Sequence, residues 1–253
     1  MGLLTVGENG ATPTVFVYEY PSHEVRVKLP NAAKAQFTCG SYNSTGELFA
    51  SQAGAPDFML TIWRWEKAEV ILRSKSFQND VLHVHFSTHN PILLASCGLS
   101  HIKFWKMANT FTGLKLQGDL GRFGKTDFSD ISAIFMLGDE NVISGCDWGN
   151  MLLWEAGLIK FEICRKGRKP CHLAPITRIT VKDGEVTTVG MDGYVRIWFW
   201  ETVDLADPPD DDRFVEIEPI YEFKISNCEI RGLQKIKPFD DEDFGYYAQV
   251  RYL

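Results

Sequence analysis

Five short apolar segments of this chain end alike. TVFVYEY, LTIWRW, HIKFW, NMLLW and YVRIWFW place Tyr18, Trp63, Trp105, Trp154 and Trp198 at separations of 45, 42, 49 and 44 residues. Each is preceded by a strand of small residues: LLTVG, LFASQ, LLASC, VISGC or VTTVG. Most of those follow an alternating strand such as VLHVHF or ITRITV. Turn-forming residues lie between them, among them Asn43-Ser44-Thr45-Gly46, His89-Asn90-Pro91, Gly138-Asp139 and Asp183-Gly184. A period of this size with several short strands per unit is that of β-propeller blades, which cannot bury both faces alone and must stack around an axis. The expected fold is all-β, with about five to six blades of four-stranded antiparallel sheet, in a single propeller segment over 1–253. A repetitive β-sandwich explains the short strands but not the recurring terminal aromatic.

The fifth repeat carries the sharpest polar set. His172 lies just before the first strand, Thr188 on the second, Asp192 in the following turn and Trp198 at the end of the third. This spacing resembles the WD-repeat family, whose four corresponding side chains form a hydrogen-bonded chain from Trp to Thr to His to Asp. A catalytic His–Asp pair is the competing reading, but no nucleophile in a recognisable motif accompanies it. The other repeats keep the pattern in part. Asp57 precedes Trp63 by the same six residues that separate Asp192 from Trp198, whereas Leu99, Trp148 and Thr12 stand at that place elsewhere. Those blades are expected to lean on apolar packing.

Several motifs invite chemistry and do not sustain it. Gly121-Arg122-Phe123-Gly124-Lys125-Thr126 approaches a phosphate-binding loop, but Asp119 occupies the position of the required first glycine. The segment also leads into a strand rather than a helix N-terminus. His83, His85 and His89 lack identifiable further metal ligands, and Cys164 and Cys171 match no zinc spacing. The six cysteines are scattered and no secretory leader is visible, so reduced thiols are expected. A net charge of −7 argues against nucleic acid and anionic membrane as partners. No cofactor, metal or catalytic site is expected.

Both ends cut across a blade. Leu3 to Val6 reads as a second strand, and Ile230 to Ile236 followed by Tyr246 to Gln249 reads as a first and second strand, giving a partial blade over 228–249. An incomplete ring is therefore expected, from a longer product; the alternative is that the strand after Cys228 completes the first blade. Binding residues concentrate in loops on a rigid scaffold. The candidates are Phe111, Leu116, Arg122 and Lys125 in the connection after the third repeat. Arg165 and Arg168 in a basic loop and Asp210 and Asp211 in an acidic one add to them. The two charged loops read either as solvated surface or as docking points for oppositely charged partners.

One stretch is more distinctive than the repeat itself. HIKFWKMANTFTGLKLQGDLGRFGKT resembles the ciliary WD-repeat proteins of the axonemal tether and tether-head complex. Trp148 to Glu155, Asp192 to Trp198 and Glu201 to Asp207 add to the likeness. The resemblance implies a non-enzymatic scaffold of the cilium or flagellum that tethers inner-arm dynein motor heads to the doublet microtubule. Its implied partners are inner-arm dynein heavy chain, a paralogous ciliary WD-repeat protein and doublet microtubule proteins. The competing expectation is a general cytosolic WD-repeat adaptor or substrate receptor outside cilia.

Overall fold

The computed structural model describes residues 2–138, 141–209, 212–225, 229–236 and 245–251, with side chains as far as Ile225. Two compact units are formed, one of Met1–Gly121 with Gly138–Glu140, the other of Arg122–Leu137 with Asn141–Leu253.

The first unit holds three antiparallel sheets. β1 (Gly2–Gly7), β2 (Val15–Tyr20) and β3 (Val25–Leu29) pair in that order. β4 (Phe37–Tyr42), β5 (Leu48–Ala53), β6 (Met59–Arg64) and β7 (Glu69–Lys75) form the second. β8 (Val81–Phe86), β9 (Leu93–Gly98), β10 (His101–Thr110) and β11 (Gly113–Leu120) form the third. In the second unit, β12 (Ile131–Met136), β13 (Val142–Cys146), β14 (Met151–Glu155) and β15 (Leu158–Cys164) make a fourth meander. β16 (Ile176–Lys182), β17 (Glu185–Gly190) and β18 (Tyr194–Phe199) begin a fifth. The chain then turns through α1 (Trp200–Asp204) before adding β19 (Phe214–Glu216) to the fourth sheet, parallel to β15. Only afterwards does β20 (Tyr221–Lys224) complete the fifth sheet beside β18. β21 (Glu229–Ile236) and β22 (Gly245–Arg251) pair as a separate hairpin.

All five sheets are propeller blades, and their ladders repeat in detail. Between first and second strands the register slips at the same place, Phe37/Cys39, Val81/His83, Ile131/Ala133 and Ile176/Arg178, and again at Ile230/Gly232 in the last hairpin. A second slip falls immediately before the closing aromatic, at Val17/Tyr18, Ile62/Trp63 and Leu153/Trp154. Such bulges add local twist to a strand. Tyr18 therefore occupies the register of the tryptophans, although its ring is only half-buried.

Small residues dominate the second strands because neighbouring elements press on them. A methyl group at Gly145 of β13 would lie 2.5 Å from Ile176 Cβ on β16. Trp63, Trp154 and Trp198 are among the largest fully buried side chains. Trp198 packs with Ile163, Ile179, Val186 and Val203, while Trp63 packs with Val15, Val17, Leu29 and Phe49.

Candidate functional site

In the fifth sheet the four polar residues meet. Trp198 Nε1 donates to Thr188 Oγ1 at 3.0 Å, Thr188 Oγ1 lies 2.8 Å from His172 Nε2, and His172 Nδ1 lies 2.9 Å from Asp192 Oδ1. The backbone N–H groups of Leu173 and Tyr194 and the Arg196 guanidinium also donate to Asp192. Arg196 Nε donates in turn to Glu222 on β20. His172 Nδ1 also lies 2.8 Å from Arg196 Nη1, so the same ring nitrogen faces a carboxylate that can only accept and a guanidinium that can only donate. Burial pushes the His172 pKa down, against the pull of Asp192. Burial by itself pushes the Asp192 carboxyl up, but its bonds from His172, Leu173 and Arg196 outweigh that and hold it well below the usual carboxylate range. Both ring nitrogens are engaged, and His172 has no solvent exposure.

Gly190 is where this network meets backbone. A Cβ there would sit 2.2 Å from His172 Nδ1 and 2.5 Å from Asp192 Oδ1. Gly190→Ala is expected to displace the buried pair and cost about 1–3 kcal/mol. A urea midpoint equal to that of the parent chain would show that the pair can yield.

Half of this chain recurs elsewhere. Trp63 donates to Ser51 at 2.9 Å, Trp105 to Ser96 at 2.9 Å and Trp154 to Ser144 at 2.8 Å. Apolar packing is thus not the only support for those blades, and three serines join the picture. The rule lies in the ladder. Trp63, Trp105, Trp154 and Trp198 pair with Phe49, Leu94, Val142 and Val186, and the hydroxyl sits two residues further along, on the same face. By that rule Tyr18, which pairs with Leu4, would meet Val6, so at this place the first sheet has neither the indole nor its hydroxyl partner. The His–Asp half is replaced elsewhere. Thr12 and Leu99 are exposed, and the Asp57 carboxylate has a buried oxygen with no hydrogen bond. Trp148 instead donates to Glu162 at 2.6 Å, together with Asn150 at 2.7 Å.

Glu162 is a buried carboxylate, and the outer edge of its strand is covered twice. At one end Arg122 forms a parallel bridge to Leu158, its N–H donating to Gly157 O. Phe123 then turns inward, edge-on to Trp154 at 5.2 Å. The segment that approaches a phosphate loop in sequence is thus an edge cover; Arg122 and Lys125 themselves are exposed. At the other end β19 pairs with β15, and Arg213 places its Nε 3.9 Å from Glu162 and donates from Nη1 to Lys125 O.

The basic loop is neither free nor merely solvated. Arg165 pairs with Glu218 and Glu222 at 3.0 Å each, and Arg168 with Asp212. The N–H groups of Lys166, Gly167 and Arg168 donate to Glu218 or Glu216. Phe214 is held between the Arg168 and Arg213 guanidiniums at 4.3 and 4.8 Å. Exposed ion pairs contribute little singly, but here they tie the returning chain to the blade. The docking reading of Arg165 and Arg168 therefore gives way to an internal one: their charge is spent within the chain. Asp210 and Asp211 lie outside the described residues, as do Cys228 and Asp240 to Asp243.

In the third sheet the β10–β11 hairpin overshoots. β9 pairs with His101 to Lys106 and Met107 N–H still donates to Ile92 O, leaving Ala108 to Thr110 and Gly113 to Lys115 as a two-stranded arm. Phe111 at its tip is fully exposed, whereas Leu116 packs against the core and anchors the arm. Among the described residues no group of His, Cys, Asp or Glu is placed to hold a metal ion, and no helix is long and apolar enough to cross a membrane. Cys39, Cys97, Cys146, Cys164 and Cys171 are free thiols.

No family model matches the chain. It is 50% identical over 220 residues to cilia- and flagella-associated protein 44 of Mus musculus, covering 87% of this chain and 12% of that protein. It is 41% identical over 181 residues to the protein of the same name from Chlamydomonas reinhardtii, covering 69% of this chain and 10% of the relative. The chain thus spans about an eighth of the length of these relatives or less. Among solved structures, the β-propeller domain of Myceliophteria thermophila Cps50 (Swd1) superposes with a TM-score of 0.67 at 14% identity, covering 88% of this chain and 69% of that one. The chain is a β-propeller, similar over most of its length to one segment of cilia- and flagella-associated protein 44.

Proposed function

We propose that this propeller segment is a non-enzymatic interaction scaffold of the ciliary or flagellar axoneme, where it helps tether inner-arm dynein motor heads to the doublet microtubule. The likeness to cilia- and flagella-associated proteins of a mouse and a green alga supports the location. The observation that carries the binding role is the β10–β11 arm. An aromatic side chain wholly in solvent on a two-stranded arm contributes nothing to its own fold, and an exposed aromatic anchor is what a partner pocket takes up. Exposed Lys115 lies on the same arm and exposed Lys106 at its base. In this reading the arm engages inner-arm dynein heavy chain, with a paralogous ciliary WD-repeat protein and doublet microtubule proteins as further partners.

Crosslinking mass spectrometry of intact axonemes tests it. Lysine crosslinks from Lys106 or Lys115 to dynein heavy chain are expected. Phe111→Asp should abolish them while leaving the unfolding free energy of the isolated chain unchanged within about 0.5 kcal/mol. Absence of the chain from isolated axonemes, or crosslinks undiminished by Phe111→Asp, would overturn the reading.

A further inference from the structure

The fourth sheet has its full meander, β12 to β15, before β19 arrives. β19 is an addition on the outer edge, parallel to β15, with Glu162, Ile163 and Cys164 opposite Phe214, Val215 and Glu216. The fifth sheet does not need it either, since β20 pairs with β18 directly. Neither blade loses a strand of its own meander if β19 leaves.

Main chain and charge hold β19 in place. Glu162 N–H donates to Arg213 O and Ile217 N–H to Cys164 O, both at 2.8 Å. Glu218 accepts from Arg165 Nε at 3.0 Å and from Lys166 N–H at 2.8 Å. Glu216 accepts from the N–H groups of Gly167 and Arg168 at 3.2 Å each. Successive backbone donors of this kind make an anion-binding concavity. Among the described residues, Arg168 draws its carboxylates, Asp212 and Glu216, from this segment alone, and its guanidinium covers the Phe214 ring. Apolar support is slight: of the described residues in 205–218, only Ile217 is buried. Closure also works against itself at Glu162, whose buried Oε2 has no hydrogen bond and lies 3.9 Å from Arg213 Nε. A buried carboxylate paired so loosely costs stability.

We infer that the β15 edge and the 165–169 loop form a binding site for an acidic, extended segment of a partner protein, which residues 212–218 occupy as an internal competitor. Strand addition to an edge supplies main-chain bonds, and side-chain contacts select the sequence. The seated segment, Asp-Arg-Phe-Val-Glu-Ile-Glu, states that selection. Carboxylates stand at its first, fifth and seventh places, a cation beside Glu162 at the second, an aromatic ring at the third and a buried apolar residue at the sixth. Arg165 keeps Glu222 of β20 when the segment leaves, so Arg168 and the backbone donors are what an incoming acid meets. Tethering gives the internal segment an effective concentration on the order of 1 mM, which masks the site from weaker ligands.

The test replaces residues 212–218 of the full chain by a Gly/Ser stretch of equal length. Binding of a fluorescein-labelled synthetic peptide of residues 212–219 is then followed by anisotropy. The replaced chain should bind it saturably, about tenfold or more tighter than the parent does. Arg168→Glu in the replaced chain, or amides in place of the peptide's acidic side chains, should each weaken binding by about tenfold or more. In the unaltered chain, the Ile217 amide should exchange about tenfold or more faster than the amides of β13, because the segment opens while its blade stays folded. Equal affinities for parent and replaced chain, no saturable binding to a folded replaced chain, or undiminished binding of the amide peptide would overturn the inference. So would a replaced chain that fails to fold by circular dichroism, or an Ile217 amide as slow as those of β13, since β19 would then be a structural strand and not an occupant.

Discussion

Trp198→Ala is expected to lower the folding free energy by about 3–5 kcal/mol, a large share of what a domain of this kind possesses. Trp198 is wholly buried in a cluster with Ile163, Ile179, Val186 and Val203, so truncation leaves a cavity that strand-bound neighbours cannot close. It also removes the indole donor from Thr188. Trp198→Phe separates these effects, because it keeps most of the buried ring and loses the N–H. Thr188 still has His172 and the Arg196 carbonyl, so this second variant should cost about 1–2 kcal/mol. Urea unfolding followed by far-ultraviolet circular dichroism checks both. A loss below 1 kcal/mol for Trp198→Ala would mean that the closing aromatics do not hold the blades. A loss for Trp198→Phe equal to that for alanine would place the whole effect in one hydrogen bond.

The closing aromatics were legible in sequence because the blade demands a large ring at one register, and Trp is rare enough for its period to stand out. His172 and Asp192 stood out for the same reason. Ser51, Ser96 and Ser144 did not, since serine is common in strands of small residues. Their role follows only from cross-strand pairing, which puts each hydroxyl two residues beyond the partner of its tryptophan. The charged loops misled because sequence shows sign but not proximity. Arg165 and Glu218 lie 53 residues apart, and the parallel pairing of β19 with β15 brings them together. Phe123 was hidden within a glycine-flanked segment that approaches a phosphate loop, and its place against Trp154 depends on the Arg122 bridge.

Asp192→Ala should be as damaging as loss of the tryptophan, at about 3–5 kcal/mol near pH 7. It removes the carboxylate facing His172 Nδ1, strands the N–H groups of Leu173 and Tyr194, and takes from Arg196 one of two carboxylates, leaving Glu222. Asp192→Asn retains the shape but not the charge and should cost less, about 2 kcal/mol. The pH dependence distinguishes a charged network from a merely packed one. The folded Asp192 pKa lies below its unfolded value of about 3.9. The unfolded chain therefore binds its proton first on acidification, and the stabilisation present above about pH 4 is lost as pH falls toward the folded value. His172 acts earlier and with the same sign. Its folded pKa is lowered, so the unfolded chain takes up that proton first below about pH 6.5, and stability falls from there. Asp192→Asn removes the more acidic window, but it also removes the pull that Asp192 exerts on the His172 pKa and so widens the window of His172. The comparison is therefore made with His172→Gln in both chains, where the gap in unfolding free energy between Asp192 and its Asp192→Asn form should narrow between pH 5 and pH 3 by about 1 kcal/mol or more. A gap that stays constant over that range would mean that the carboxylate contributes by shape alone, and that its charge toward Arg196 adds nothing to the fold.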